Sequence, residues 1–412
     1  MLRVSNAYLT WMGLWLVVLA GVLVLLLQAR RRARAAGRTM PRLLGVAWIV
    51  WLSLLTLTFC ELAFALIYDT TDSFNQSNVS KRWFAEHVEP QLRTLVFSDG
   101  EGLRYRAVRE FPKATPGAAH VCFVGDSFTF GHGVADLRHR CSDQVAVLWP
   151  EYCRAPLVVS NLSEPGKDLV WVNRLIDHLI EEGYRVDEFV YVLCLNDIES
   201  FDPENWKVYQ RLSELNPRFF LLRDTYLLNF LYFRWVQWRT PEIRDYYGHV
   251  LRYYDGPPWE QMRRLLAATA RRCREQGITF SVVVFPFLHR LGGQYPFAAV
   301  HRKIVAACRE AGIPVVDLLP ELRHHAGESL TVGPFDAHPN EVTHRLAAEA
   351  ILKAFAERWC ALAQAKTAES GSPAAGGRVR SGDRSDAGGN KSRGAGPRKP
   401  AGSTAGGSPS PR

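Results

Sequence analysis

Four short segments of this 412-residue sequence carry side chains that together suit acyl transfer. Gly125-Asp126-Ser127 supplies a hydroxyl nucleophile, and Asp336-Ala337-His338 supplies an imidazole base with a carboxylate nearby. Gly166 and Asn196 add a backbone N–H and a side-chain amide, donors of the kind that stabilise an oxyanion. Because a base activates the hydroxyl and an acid orients the base, the set predicts nucleophilic catalysis through Ser127.

The elements that must position these residues have the pattern of a doubly wound α/β domain. Apolar runs predict strands at 120–127, 156–163, 188–197, 278–286 and 313–319. Amphipathic stretches predict helices near 138–149, 168–183, 259–276, 298–311 and 341–359. Continuous apolar strands that alternate with helices indicate about five parallel strands with helices on both faces. Sites in such sheets lie at the carboxyl ends of the strands, where all four segments would meet.

The segment Gly125-Asp126-Ser127-Phe128-Thr129-Phe130-Gly131 resembles the first sequence block of the SGNH/GDSL hydrolases. The resemblance covers roughly 119–361, with all four blocks in the family's order. It implies that Ser127 is the nucleophile, His338 the general base and Asp336 the orienting acid. It also implies an oxyanion hole built from the N–H groups of Ser127 and Gly166 and the Asn196 side chain, without a metal or organic cofactor.

Two positions depart from the family pattern. Asp336 precedes His338 by two residues, where the family usually has three, and Cys194 stands where a glycine is common. The structural alternatives are that Ser127 only caps a helix and that His338 is an ordinary loop residue. Capping of the last helix is the preferred interpretation of Asn340. Asp126 and Asp197 are interpreted as structural residues that tie neighbouring loops together.

The N-terminal 68 residues have the pattern of a transmembrane helical hairpin. Residues 9–28 contain no charge, and residues 43–68 contain only Glu61, which is expected to lean toward the headgroups. The loop 29–42 contains six arginines, which predicts that it is cytoplasmic. Everything after the second span is then extracytoplasmic. A cleaved signal peptide and a buried soluble hairpin are the weaker alternatives, because arginines follow the first run directly and neither run has a polar face.

The formal net charge of +9 does not indicate nucleic-acid binding. Residues 28–42 and the tail from Lys366 each contribute +6, so the remainder has a net charge of −3. The eight cysteines form no metal-like cluster, and they do not decide the redox compartment.

The remaining segments complete the predicted domain organisation. Residues 69–118 are predicted to be a polar connector, 119–361 the hydrolase domain, and 362–412 a disordered low-complexity tail. The insertion 199–256 contains fifteen aromatic residues. It is interpreted as a helical cap with its own small core, with a lid over the pocket and a bilayer-facing surface at Trp235 and Trp238 as alternatives.

These observations predict a membrane-anchored serine esterase that acts on an O-acylated envelope carbohydrate or lipid. An O-acyltransferase would use the same residues, and a catalytically silent carbohydrate-binding module is the alternative from another class. The expected partners are the bilayer and an ester substrate; the sequence names no protein partner.

Overall fold

The computed structural model describes residues 4–37, 39, 41–67, 72–75, 77–88, 90, 94–98, 104–107 and 111–371. The strands are, in chain order, β1 (Thr94–Ser98), β2 (Arg104–Ala107), β3 (Ala119–Gly125), β4 (Leu157–Ser163), β5 (Glu188–Cys194), β6 (Thr279–Phe285) and β7 (Val315–Asp317). The helices are α1 (Asn6–Ala35), α2 (Arg42–Ile67), α3 (Val79–His87), α4 (Ser127–Phe130), α5 (Cys141–Tyr152), α6 (Leu169–Glu181), α7 (Pro203–Glu214), α8 (Phe220–Arg223), α9 (Leu227–Arg239), α10 (Pro241–Arg244), α11 (Tyr246–Tyr253), α12 (Pro257–Glu275), α13 (Ala298–Glu310), α14 (Leu319–His324) and α15 (Glu341–Gly371).

The centre of the molecule is a five-stranded parallel sheet with the order β4-β3-β5-β6-β7. Every residue of β3 and β5 is buried, because helices cover the sheet on both faces. Helices α5 and α15 pack together on one side, and α6, α12 and α13 pack on the other. The predicted fold class is therefore confirmed, and each predicted strand overlaps an observed one.

The segment predicted as a polar connector contains regular structure. It includes α3 and the antiparallel pair of β1 and β2. Asn78 caps α3 by accepting hydrogen bonds from the backbone N–H groups of Ser80 and Lys81. Trp83, Phe84 and Val88 then pack against Phe130 of the α/β domain. The prediction failed here because polar residues at the start of the segment hid a short amphipathic helix.

The two N-terminal helices are long and apolar enough to cross a membrane. Only 11% of the most apolar window of each is buried, unlike a core helix of a soluble protein. The helices are joined by hydrogen bonds from Trp15 Nε1 to Thr58 Oγ1 (2.8 Å) and from Trp51 Nε1 to the carbonyl oxygen of Leu19 (3.0 Å). Helix α1 runs on to Ala35, so the connection is shorter than the predicted loop 29–42 because arginine is a good helix former.

Residues 199–256, hereafter the cap, form helices α7 to α11. A small apolar core of Leu212, Phe233, Val236 and Ile243 supports them. This arrangement agrees with the interpretation of the insertion as a helical cap. The cap also contacts the hairpin: Glu61 is buried, and its carboxylate accepts hydrogen bonds from the N–H groups of Tyr226 (2.6 Å) and Leu227 (2.8 Å). The Glu61 carboxylate thus binds the start of α9, a contact that the sequence did not predict.

The last helix extends ten residues beyond the predicted domain boundary at 361. Thr367 donates a hydrogen bond to the carbonyl oxygen of Gly117 (3.2 Å), and Lys366 pairs with Asp187 (2.8 Å). A disulfide between Cys153 and Cys360 links the end of α5 to the same helix. Residues 362–371 are thus part of the domain, and the rest of the predicted tail, 372–412, lies outside the described residues.

Candidate active site

A sharp turn between β3 and α4 presents Ser127. A Cβ atom on Gly125 would meet the Thr129 hydroxyl and lie 2.8 Å from the carbonyl oxygen of Val192, so only glycine fits there. Asp126 caps the helix, because its Oδ1 accepts the N–H of Phe128 at 2.8 Å. Since Asp126 fills the capping position, the alternative that Ser127 is merely the cap is wrong.

Ser127, His338 and Asp336 form a continuous hydrogen-bonded series. His338 Nε2 lies 2.9 Å from Ser127 Oγ, and His338 Nδ1 lies 2.5 Å from Asp336 Oδ1. With the proton on Nδ1, the imidazole donates to the carboxylate, and Nε2 is left to accept the Ser127 proton. The structure therefore brings the three predicted residues together in the order that a nucleophile, a base and an orienting acid require.

The two-residue spacing between acid and base has a local explanation. Asp336 Oδ1 also accepts a hydrogen bond from the backbone N–H of His338 at 3.1 Å. This contact between a carboxylate and the N–H two residues later is an Asx-turn, which folds the loop back on itself. The tight turn places the imidazole beside the carboxylate without the additional residue of the usual family spacing.

The charge on Asp336 is stabilised by its neighbours. Its side chain is fully buried, and burial alone would favour the neutral acid. The imidazoles of His338 and His132 and the Lys81 ammonium outweigh that effect and hold the pKa of Asp336 well below its usual range. The carboxylate is therefore ionised at neutral pH, as an acid that orients a histidine must be.

Residues 72–75 form a wall of the site that the sequence did not reveal. Asp72 forms a parallel β-bridge with Phe335, and the N–H of Ser73 donates to the Phe335 carbonyl at 3.3 Å. Ser73 Oγ donates to Asp336 Oδ1 at 3.2 Å and accepts the N–H of Ala337 at 3.1 Å. This segment therefore fixes the loop that carries the acid and the base.

Lys81, on α3, is the second residue that the sequence analysis missed. Its Nζ donates to the carbonyl oxygen of Ser73 at 2.8 Å, and its side chain lines the catalytic pocket. Burial lowers the pKa of Lys81 to about 8, and the Asp336 carboxylate opposes that shift. A sequence signal existed, because Asn78 followed by Val79, Trp83 and Phe84 has the pattern of a capped amphipathic helix.

Gly166 and Asn196 reach the same pocket from the loops after β4 and β5. Gly166 has a φ of +75°, in the left-handed region that favours glycine. The Asn196 side chain makes no hydrogen bond with the residues that the structure describes, although its amide oxygen is buried. The donor that a substrate oxygen would need is the NH₂ group of the same amide. The four predicted segments thus converge on one rim of the sheet.

The catalytic pocket has a volume of about 260 Å³ and mixed walls. Phe128, Tyr247 and Phe287 provide aromatic surface, and the His132 ring lies beside His338 with ring centroids 4.6 Å apart and planes tilted by 54°. A second cavity of about 510 Å³ adjoins it. Both cavities are lined by Ser73, Phe74, Tyr246, Tyr247 and Ala337, so they share a wall.

The other polar residues that the sequence analysis singled out have structural contacts. Asp197 Oδ2 accepts hydrogen bonds from Tyr191 Oη (2.5 Å) and the N–H of Cys194 (3.2 Å), which ties the loop to β5. Asn340 Oδ1 accepts the N–H of Thr343 at 3.0 Å, so its predicted capping of α15 is confirmed. Burial raises the pKa of Asp126 to about 6.

His132, Asp336 and His338 also meet a loose geometric condition for a metal site. One ligand atom from each lies within 4.8 Å of the others. A cation bound there would compete with the short hydrogen bond between His338 and Asp336. The same residues therefore suit either an ion or an orienting hydrogen bond, and chelation distinguishes the two.

Comparisons with known proteins give only remote similarities. No family model matches the sequence, and no curated protein matches it. Among solved structures, the chain is similar to TesA, with 16% identity and a TM-score of 0.35 over 57% of this chain and 98% of TesA.

Two further solved structures are similar at the same level. For a catalytic mutant of Axe2, an acetylxylan esterase from Geobacillus stearothermophilus, the identity is 13% and the TM-score 0.37, over 60% of this chain and 98% of that one. For a member of the lipolytic protein G-D-S-L family from Veillonella parvula, the identity is 14% and the TM-score 0.32, over 58% of this chain and 98% of that one. TM-scores below 0.5 do not decide the fold or the activity. The fold assignment rests on the strand order of this chain, and the proposed activity rests on the contacts in its pocket.

Proposed function

We propose that this chain is a serine esterase that forms an acyl intermediate on Ser127. The observation that carries this proposal is the 2.9 Å contact between Ser127 Oγ and His338 Nε2, with Asp336 2.5 Å from the other ring nitrogen. A binding module gains nothing from a base aligned with a nucleophile in this way. The intact series therefore favours an enzyme over a silent carbohydrate-binding module.

The first half of the reaction transfers the acyl group to the enzyme. His338 Nε2 takes the Ser127 proton while Oγ bonds to the ester carbonyl carbon, and the carbonyl oxygen becomes an oxyanion. The N–H groups of Ser127 and Gly166 and the Asn196 amide are the proposed donors to that oxygen. When the carbonyl re-forms, the bond to the alcohol breaks, and His338 returns the proton to the leaving alcohol oxygen.

The second half releases the acid. A water molecule gives its proton to His338 Nε2 as its oxygen attacks the acyl carbon, through a second oxyanion in the same donors. Collapse breaks the bond to Ser127 Oγ, which regains the proton. In both halves, Asp336 holds the imidazole tautomer and stabilises the positive charge that forms on the ring.

The proposed location is the extracytoplasmic face of the cytoplasmic membrane. Two exposed apolar helices and the arginines between them support a hairpin whose termini face outward. The Cys153–Cys360 disulfide supports the same side, because such bonds persist in oxidising compartments. Fusion of alkaline phosphatase after residue 371 should give an active reporter, and a silent reporter at normal expression would contradict this orientation.

An O-acylated envelope carbohydrate is the proposed substrate class. The acyl group would occupy the pocket beside Ser127, and the adjoining cavity would hold the alcohol part. Tyr246 and Tyr247 form the wall between the two spaces, and aromatic rings beside polar groups suit the stacking of sugar rings. The same cavity supports acyl transfer as a second candidate, because a sugar hydroxyl bound there would replace water in the second half-reaction.

Fluorophosphonate labelling of the full-length protein tests the catalytic proposal. Wild type should acquire a covalent label, Ser127→Ala should not, and Ser329→Ala, at an exposed serine outside the pocket, should label like wild type. Equal labelling of Ser127→Ala would overturn the assignment of the nucleophile. An acetylated sugar assayed with and without acceptor oligosaccharide then separates hydrolysis from transfer.

A further inference from the structure

The cap exposes a continuous apolar face beside the N-terminal hairpin. Outside the hairpin, twelve large apolar side chains are exposed among the described residues, and eight of them lie within 215–238. The other four are scattered: Val147, Tyr152, Val170 and Val342. Isolated apolar residues are ordinary on protein surfaces, but a patch on one element requires a partner.

Helix α9 concentrates this exposure on one stripe. Leu228, Leu231, Trp235 and Trp238 are spaced by three, four and three residues, so they share one side of the helix. Their exposed fractions are 37%, 53%, 47% and 66%. Asn229, Phe233 and Val236 are buried on the opposite side. Phe219 and Phe220, at the start of α8, extend the patch. These six exposed residues are called the interfacial face.

The interfacial face is continuous with one end of the hairpin. Rings of Tyr8 and Tyr226 lie 5.0 Å apart, and those of Trp11 and Phe220 lie 6.3 Å apart. These contacts, and those of Glu61 with the start of α9, are at the end of the hairpin opposite to the arginine-rich connection. The apolar surface therefore passes from the hairpin directly onto α8 and α9.

We propose that the interfacial face lies in the outer leaflet of the membrane, as a contact additional to the hairpin; this inference rests on the proposed membrane anchoring. Tryptophan and phenylalanine are the side chains that suit the level of the lipid headgroups. Arg239 is positioned over the Trp235 ring at 5.4 Å, so its charged group can reach the headgroups while the ring stays apolar.

This placement brings the catalytic cavities close to the lipid surface. Arg234 and Gln237, on the side of α9 next to the stripe, line the larger cavity. The helix that separates that cavity from the bilayer is only about 10 Å across. The esters that reach the site would accordingly be those held at the membrane surface.

Site-specific fluorescence in vesicles tests the proposal. In full-length Cys60→Ser protein, which lacks the exposed free cysteine, an environment-sensitive NBD label is placed at Trp238→Cys, Leu231→Cys, Val147→Cys or Leu52→Cys. Phosphatidylcholine vesicles with and without 5-doxyl lipid supply the quencher. In vesicles that contain the quencher, labels at positions 238 and 231 should lose most of their emission. The label at position 147, which is similarly exposed but lies on α5, should keep its emission.

The hairpin label at position 52 separates the two possible failures. Quenching at 52 without quenching at 238 and 231 would overturn the interfacial face and leave the anchor standing. Absence of quenching at 52 would overturn the anchor and, with it, this inference. Dimer formation that protects 238 and 231 from dithionite without lipid quenching would assign the face to a second copy instead. Fluorophosphonate labelling of each variant confirms that the site is folded.

Discussion

The strand-end loops and a second region, residues 72–75 with helix α3, both reach the catalytic pocket, but they are held in place differently. Ser127, Gly166 and Asn196 follow strands of a buried parallel sheet, so the backbone hydrogen bonds of the sheet fix their spacing. Ser73 and Lys81 come from outside the sheet. Ser73 makes polar contacts with the loop 335–338, and Lys81 donates a hydrogen bond to the carbonyl oxygen of Ser73. The reacting groups and the groups that orient them thus come from different parts of the chain.

That difference implies two kinds of functional loss. Removal of a reacting group should abolish turnover without moving its neighbours. Removal of an orienting group should leave the nucleophile intact and reduce the fraction of time that His338 is aligned. The last loop, with Asp336 and His338, belongs to both regions, since it lies at the rim and is also bound by Ser73.

The largest loss of kcat should follow Asp336→Asn. This substitution tests whether the loop 335–338 belongs to the catalytic groups. The amide would favour the imidazole tautomer without a proton on Nδ1, which costs about 10⁴-fold in the Ser-His-Asp template. We expect kcat to fall on the order of 10³-fold or more with an unchanged circular dichroism spectrum. Asp317→Asn, which alters the Asp317–His301 pair at 2.6 Å outside both cavities, should stay near wild type. A loss within about threefold for Asp336→Asn would leave a Ser-His dyad.

A smaller loss of activity is expected for Lys81→Met, which removes the ammonium group that donates to the carbonyl oxygen of Ser73. Loss of its contact with Ser73 should lower kcat/KM by about tenfold, equivalent to roughly 1.4 kcal/mol. Because the pKa of Lys81 is about 8, its charge is lost as the pH rises through that value. Wild-type kcat/KM should decline there, and the variant should lack this decline.

Lys303→Met is the matched control for Lys81, since the Lys303 ammonium also donates to a backbone carbonyl, that of Tyr254. It should keep both the wild-type rate and the wild-type pH profile. Identical profiles for wild type and Lys81→Met would show that the ammonium does not orient the site.

A change at the contact between the hairpin and the cap should be weaker still. Glu61→Gln removes the negative charge that accepts two N–H groups at the start of α9, and such charge-assisted bonds contribute about 1.5–3 kcal/mol. KM for a bulky acyl carbohydrate should rise severalfold, while kcat for a small ester changes less than about twofold. Glu349→Gln, at a half-buried acid on α15 that pairs with Arg345 away from the cap, should change neither. Equal losses toward both esters would mean that Glu61 supports the whole fold.

The smallest effect on activity should come from Cys153→Ser with Cys360→Ser. The disulfide lies between α5 and α15, away from both cavities, so turnover at 25 °C should be close to wild type. Loss of a crosslink over 207 residues should reduce stability by about 2–4 kcal/mol, or roughly 5–15 °C in Tm. Thiol titration of denatured, unreduced wild type should find six thiols, rising to eight after reduction. Eight before reduction would exclude the disulfide.

The sheet and its rim could be predicted because their signals are local. Each strand is a short apolar run beside a helical pattern, and the strand ends of a parallel sheet share one edge. The location of Ser127, Gly166, Asn196 and His338 at one rim could therefore be predicted, and their roles followed from the resemblance to a known family. Asp336 could be named as the acid, but its short spacing became understandable only through the Asx-turn that its own carboxylate closes.

The surrounding contacts could not be predicted because they join distant parts of the chain. Ser73 and Asp336 are 263 residues apart, and Glu61 and Tyr226 are 165 apart. Hydropathy placed Glu61 near the end of an apolar span, but it carries no information about which backbone N–H groups will meet the carboxylate. The Cys153–Cys360 pair was hidden for the same reason, since eight cysteines allow many pairings.

The bridge between Asp72 and Phe335 determines where the protein can be divided. A fragment that begins at β3 keeps the sheet and all five predicted site residues, yet it lacks the strand-like partner of the catalytic loop and the lysine beside it. The smallest active piece should therefore begin before residue 72, immediately after the hairpin. For protein production, detergent or nanodisc preparation of the intact chain is a safer route than trimming to the hydrolase core.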